Sequence, residues 1–448
     1  MAQTFAKTSV RCASIMPMYH GRKVLAALFM AGFMVYGGGL YSFALFIPPL
    51  TQEFHWSRAA TSGLVTAFWL SAPLILFGGA AIKRFGATRL LIAGILVEAV
   101  CVTLLSTVST FGEMYVLRAA MGVGKVMFAV TLPYTVSRWF SRHYSLGLGP
   151  VWAGWHVGGM VLAPVTGLII QHYGWRTACL AIAAGLLTVG LGPILATKGP
   201  HSPRDVGLGL DGDPPGRPDE SALAHDAVPA NTDVPAGRLS DLLGSMTFWM
   251  IALTTLFFYA TYGGLLTHAD SVVEAAGFTP RLSSLVLGST AGFAAVGGLC
   301  GGWLLDRFPV RVVGIAMHLL LLVGALSLLW VGREHSAAAL VTYAACFGVT
   351  IGGSDLYFVA LMRHRFPAVS VAYSYSAWYF CEILTLLLAG PAAGRVFDLT
   401  GNYDATLALL AGSAVLAGVL SLFVLRGAAV ERTARALDRD AAHPVTAD

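Results

Sequence analysis

Lys125 and Glu382 are ionisable side chains near the middle of long apolar stretches, and His156 is placed the same way. A charge at the centre of a bilayer costs about 2.5–3.5 kcal/mol on insertion scales, so each is expected to face protein or a water-filled cavity rather than lipid. Arg118 lies seven residues before Lys125, close to two helical turns, which puts both on one helix face. A cationic ladder along a cavity wall would draw in an anion and hold it at the midplane. Glu382 is the expected proton carrier, because the protonation of a carboxylate facing Lys125 can respond to whether an anion occupies the lysine. Asp355 is the second candidate for that role, or a gate residue near Arg363. Two blander readings stand beside these: Arg118 pairs internally and orders the helices, and Lys125 with Glu382 forms a permanent ion pair.

The elements that must position these groups follow from composition. Of 448 residues, 56% are hydrophobic and 11% charged, whereas a soluble domain carries about 25% charged residues. A water-soluble enzyme, a nucleic-acid binder and a single-span receptor with a folded ectodomain are thereby excluded. Apolar runs fall at about 24–49, 59–82, 90–109, 113–136, 146–170, 176–196, 246–269, 282–305, 311–331, 338–361, 370–394 and 404–425. Each must satisfy its own backbone hydrogen bonds in lipid, so all twelve read as helices. Most of the 28 Lys and Arg then fall on one side of the membrane, with Arg58, Arg176, Arg281, Arg333 and Arg395 on the other. The positive-inside rule puts both termini in the cytoplasm, and the membrane is expected to be the cytoplasmic one. The formal charge of +5 is first of all this topology signal. The first 23 residues lack a signal-peptide pattern, so the first span is expected to direct insertion.

The domain organisation expected is a cytoplasmic tail over 1–23, a six-helix bundle over 24–196, a linker over 197–245, a second bundle over 246–425 and a tail over 426–448. The linker holds seven prolines and eight acids against four bases. Such a stretch cannot bury enough surface to order itself and reads as flexible. The six cysteines show no C-x-x-C spacing and predict free thiols, not a metal site or a disulfide framework. Gly122-Val-Gly-Lys125 lacks the spacing of a phosphate loop and follows no strand, so no nucleotide is implied.

Other residues are weaker candidates. His268 with Asp270, Glu274 and Arg281 could form an outer gate or proton entrance, or an ordinary wet helix end. Glu98 and His318 read as structural. Among the aromatics, Tyr36, Tyr262 and Trp378 are carried forward as walls for a small organic acid. Trp378 and Glu382, four apart, share a helix face. Tyr41, Tyr259, Tyr375 and Tyr379 are more economically read as packing.

The two halves repeat each other: Gly79-x-x-x-Lys83-Arg84 recurs as Gly302-x-x-x-Asp306-Arg307, Arg58 as Arg281 and Arg138 as Arg363. A parallel repeat implies a pseudo-two-fold axis along the membrane normal with a substrate site between the halves. These residues resemble the major facilitator superfamily, whose loop signature is approximated by Gly79, Arg84, Gly86 and Arg89, and more closely by Gly302, Asp306, Arg307 and Arg311. Arg118-x-x-x-Gly122-x-Gly124 is similar to a second signature of that group. Trp139-Phe-Ser-Arg142 through Leu146 to Ala153-Gly154 resembles the monocarboxylate-porter signature, and Glu53-Phe-His-Trp56-Ser57-Arg58 is typical of the same branch. The chain departs from the pattern at Lys83, where an acid is expected, before Gly37, and across 282–305, which holds no charge. The resemblance implies cavity-lining roles for the spans of Lys125, His156 and Glu382, and gating roles for Arg84, Asp306 and Arg307.

The function expected is therefore secondary transport by alternating access. A small organic anion, a monocarboxylate above all, would bind Lys125 with help from Arg118, Tyr36, His156, Tyr262 and Trp378, and a proton would ride on Glu382. No cofactor, metal, nucleotide or nucleic acid is implied, and no enzyme. The rivals are a proton-coupled exporter of drugs or metabolites, for which Pro164 and Gly167 survive from the usual span-five element, and a membrane sensor signalling through 197–245.

Overall fold

The computed structural model describes residues 19–56, 64, 67–197, 202–213, 242–366 and 371–442. Arg58, part of the linker and the far termini lie outside these residues. The described residues form helices joined by short turns, and no strand occurs among them. The first half holds α1 His20–Gly39, α2 Ala67–Phe85, α3 Ala87–Leu105, α4 Phe111–Ser137, α5 Tyr144–Tyr173 and α6 Trp175–Ala196. The second holds α7 Met246–Ala275, α8 Pro280–Arg307, α9 Val310–Glu334, α10 Ala337–Arg365, α11 Val371–Thr400 and α12 Tyr403–Ala442. Eleven segments have the length and apolarity to cross a membrane, and α8, with 28 residues, is the twelfth of crossing length.

Helix ends follow local chemistry. Thr110 and Glu113 form a reciprocal capping box at the start of α4. Gly86 and Gly174 take positive φ angles of 80° and 82° between consecutive helices, a conformation that favours glycine. At the end remote from the termini, Glu53 accepts from Trp175 Nε1 at 2.7 Å and pairs with Arg176 at 2.7 Å. The Trp175 N–H, with Arg176 beside it, holds the Glu53 carboxyl below the usual carboxylate range.

Two departures from the sequence reading matter for the site. The first span is not one helix: α1 ends at Gly39 and the chain continues as a 3-10 turn, Tyr41–Phe46, then a short helix, Ile47–Phe54. Three successive glycines, Gly37 to Gly39, weaken the helix there. The linker is not featureless either. Residues 202–213 dock on the turn between α4 and α5, where Asp211 accepts from the backbone N–H groups of Ser141, Arg142 and His143 at 3.0–3.3 Å. Asp213 pairs with Arg142, and Tyr19 donates to the Trp139 carbonyl at 2.8 Å. Composition predicts disorder from average behaviour and misses one buried carboxylate that satisfies three orphan amides.

The sequence repeat has a counterpart in space. Gly79 faces the Tyr373 ring of α11, and Gly302 leaves no room for a Cβ against the Ser145 carbonyl of α5. A Cβ at Gly149 would lie 2.6 Å from the Gly298 carbonyl oxygen. Small residues thus bring the helices of the two halves together at the end that carries the termini.

Candidate functional site

Lys125 is the fifteenth residue of the 27-residue α4, so its ammonium is held at mid-depth. The residue is 1% exposed, and Nζ has no hydrogen-bond partner. Aromatic rings surround it: Nζ is 3.8 Å from the centre of Trp69, 5.2 Å from Tyr379, 5.9 Å from Tyr36 and 6.0 Å from Phe68. Ring faces carry partial negative charge and attract a desolvated cation, by about 2 kcal/mol in a favourable case. Three of these rings belong to the first half and Tyr379 to α11 of the second. The cage therefore closes only when the halves meet.

The cage is tied together across that boundary. The Tyr36 and Tyr379 hydroxyls are 3.2 Å apart, and the Tyr36 ring stacks on Trp155 with centroids 3.8 Å apart. Trp378 is stacked beside Tyr379 and against Phe358. The indole N–H groups of Trp155 and Trp378 are buried without partners. One ammonium and two indole N–H donors thus lie unsatisfied around one pair of tyrosines. Buried donors ordinarily find acceptors, and an anion is the species that the ammonium can take.

Glu382 lies near the middle of α11, 5% exposed, with Oε2 unpartnered. It makes no hydrogen bond to Lys125, whose Nζ is free, so the closed ion pair weighed from sequence is not formed in this state. Asp355 has a different setting from the one expected beside Arg363. It accepts from Trp152 Nε1 of α5 and from the Tyr259 hydroxyl of α7, both at 2.7 Å, while Arg363 stacks over the Tyr144 ring at 3.7 Å. Asp355 therefore joins the halves at mid-depth, fully hydrogen-bonded, whereas Glu382 keeps an open oxygen.

Arg118 shares the helix face of Lys125 but not its freedom. It is fully buried, with Nη1 donating to the Gly39 carbonyl at 2.9 Å and Nε to the Leu64 carbonyl at 3.3 Å. Its guanidinium lies 3.6 Å from the centre of the Phe43 ring. The Gly39 carbonyl is one that the break in α1 releases, so Arg118 caps the broken helix in the manner of a C-terminal cation. Nη2 remains unpartnered and Glu98 is buried nearby with both oxygens free. A cavity of about 20 Å³ beside Arg118 has room for about one water. The expected cationic ladder resolves into one free lysine and one anchored arginine.

The remaining candidates fall in separate places. His156 Nδ1 meets the Tyr41 hydroxyl at 3.2 Å within the first half. Tyr262 packs on Tyr259 and Phe347. His268 Nε2 meets the Gly390 carbonyl at 3.0 Å, a contact inside the second half. At the terminus-bearing end, Asp306 accepts from the backbone N–H groups of Ser145 and Leu146 at 3.0 and 2.8 Å. These are among the first amides of α5, which no side chain of its own half caps, so a carboxylate of one half caps a helix of the other. Its counterpart Lys83 lies 5.1 Å from the Tyr373 ring of α11. Arg307 stacks on Trp303 of its own helix. Arg84 lies 5.3 Å from the centre of the neighbouring Phe85 ring, has no ion pair among the described residues, and lines a cavity within the first half.

Trp69 and Tyr379 flank Lys125, and Trp155 stacks on the Tyr36 ring; sequence alone reads Tyr379 as packing and does not single out the two tryptophans. Trp152 and Trp155, three apart and so on one helix face, carried the available signal. Spacing alone does not say which face of α5 meets α1.

The Major Facilitator Superfamily profile matches residues 28–382. The chain is similar to monocarboxylate transporter 13 of Bos taurus, 25% identical over 405 residues, 88% of this chain and 86% of the relative. It is also similar to monocarboxylate transporter 11 of Homo sapiens, 28% identical over 417 residues, 89% and 81% of the two chains. Among solved structures, the Escherichia coli fucose:proton symporter superposes with a TM-score of 0.66 at 15% identity, covering 90% of this chain and 98% of that one.

Proposed function

The chain belongs to the major facilitator superfamily, and from that premise we propose that it moves a small organic anion, a monocarboxylate, together with a proton by alternating access. Family membership makes it a membrane transporter and not an enzyme. The observation that carries the finer reading is the Lys125 ammonium, free of hydrogen bonds inside an aromatic cage that both halves build. A carboxylate entering the cage gains a charge-assisted hydrogen bond from the lysine.

Glu382 then supplies the coupling. With the anion on Lys125, a charged Glu382 would face a second negative group, and protonation removes that repulsion. Anion and proton would cross together with no net charge, which lowers the electrostatic cost of passing through the low-dielectric centre. Arg118 positions α1 around Gly39 and does not touch the anion. The units that rock are 24–196 against 246–425, with 1–23, 197–245 and 426–448 on the cytoplasmic side, and Asp306, Lys83 and Gly302 hold that side shut. The names of the relatives, monocarboxylate transporters, support the substrate class.

The test is uptake of labelled small acids into proteoliposomes of the purified protein, with and without an inward proton gradient. Saturable uptake of a monocarboxylate that the gradient accelerates is expected. Dissipation of a drug gradient with no carboxylate flux would replace this reading with the exporter.

A further inference from the structure

A second cavity, of about 420 Å³, lies within the first half at the end that carries the termini, far from Lys125 along α4. It is bounded by α1, the ends of α2, α4 and α6, and the start of α3. Arg84, Arg89 and Arg138, all three exposed, are among its lining residues, and none of its described lining residues is acidic. The α3 helix opens directly into it: Gly86 is the N-cap, no side chain caps the first amides, and no acid stands in the first turn. Tyr134, which accepts from Arg138 at 3.4 Å, adds a hydroxyl. The floor is different in kind, with Leu28 fully buried and Ile82 nearly so. Phe85, also in the wall, is 50% exposed.

We propose that this cavity binds a phosphate group, carried by an anionic phospholipid of the surrounding membrane. Guanidinium groups match phosphate oxygens in a bidentate way, and an uncapped helix N-terminus adds backbone donors and a favourable dipole. Free phosphate and a lipid headgroup share that chemistry. The apolar floor and the exposed Phe85 at the rim distinguish them, because only the lipid brings glycerol and acyl carbons to cover such surface. The arginine at the first-half signature loop then serves lipid contact, while its second-half counterpart region, through Asp306, serves closure. Basic pockets between membrane helices hold anionic headgroups by the same forces.

The experiment uses the full-length protein in detergent and reads thermal unfolding against added dioleoylphosphatidylglycerol, dioleoylphosphatidylcholine or inorganic phosphate. A saturable upward shift with phosphatidylglycerol, and little with phosphatidylcholine, is expected. At about fivefold per guanidinium lost near an anionic surface, Arg89→Gln with Arg138→Gln should weaken the apparent affinity about 25-fold, while Arg89→Lys with Arg138→Lys retains most of it. If the double variant fails to fold, Arg89→Gln alone reads the same effect at about fivefold. Inorganic phosphate reproducing the whole shift, with phosphatidylglycerol adding nothing, overturns the lipid assignment. An equal response to both lipids, or an undiminished response in the glutamine variants, overturns the site.

Discussion

Replacing Lys125 by Met separates a ligand-binding lysine from a structural one, because the two roles give opposite signs for stability. The wild-type ammonium is 1% exposed and makes no hydrogen bond, so the ligand-free protein carries most of the desolvation cost of a buried ion, effectively several kcal/mol. The Trp69 ring, 3.8 Å away, returns about 2 kcal/mol of this. Met has a similar length and no charge, so the ligand-free variant should be as stable as wild type or more stable by about 1–3 kcal/mol. Transport moves the other way. Loss of a charge-assisted hydrogen bond to the anion removes about 1.5–3 kcal/mol, and at 1.36 kcal/mol per decade KM rises about 10- to 150-fold. Thermal unfolding without ligand and initial uptake rates in proteoliposomes measure the two quantities on one preparation. A variant that melts well below wild type and yet takes up substrate with KM changed by less than about threefold would refute the assignment.

Glu382→Gln should abolish proton-driven accumulation while counterflow exchange of the anion continues, since the amide holds the neutral form in place; equal loss of both would make Glu382 structural. Arg118→Met should destabilise, in contrast to Lys125→Met: it leaves the Gly39 and Leu64 carbonyls without their donor, at about 1–3 kcal/mol each, read as a lower unfolding midpoint. Asp306→Ala removes the cap that α8 places on α5, worth about 1–2 kcal/mol. It should raise the reactivity of Ser145→Cys, a position only 8% exposed at that seam, toward an impermeant maleimide from the terminus-bearing side about 5- to 30-fold, and unchanged reactivity would show that the cap does not hold that end closed.

The architecture was legible because its cause is one-dimensional. A run that must bury its own backbone bonds in lipid declares itself by length and apolarity, and the repeat between Gly79 and Gly302 needed only an offset. Lys125 and Glu382 were legible for the same reason, since a charge in an apolar run is costly wherever it points. What the sequence did not carry was direction. Seven residues place Arg118 and Lys125 on one face, yet the break of α1 at Gly39 offers a carbonyl to the first and none to the second. Asp355 read as a second proton carrier or as a gate residue near Arg363 along α10, and its partners come from the neighbouring helices α5 and α7. Trp69 and Trp155 were hidden because an aromatic in an apolar helix is ordinary until its neighbours are known. Asp211 was hidden by its surroundings, as one ordered carboxylate barely alters the composition of a proline-rich stretch.

The two midplane carboxylates differ in a way that divides the proposed cycle between them. Asp355 is saturated, and one of its bonds, from Trp152, crosses between the halves; Glu382 has an open oxygen in the half that faces Lys125. A ligand moves a conformational equilibrium only by binding one state better than the other. An anion on Lys125 with a proton on Glu382 meets that condition where the cage is built by both halves, because Tyr379 arrives with α11 and leaves with it. Rocking must also break what stands at the terminus-bearing end, chiefly the two bonds from α5 to Asp306. Together, as a helix cap, they are worth about 1–2 kcal/mol, so the combined differential affinity of anion and proton has to be at least of that order. In the proposed cycle a carrier that holds the proton without the anion would lack that contribution and stay closed at that end, which would limit proton leak.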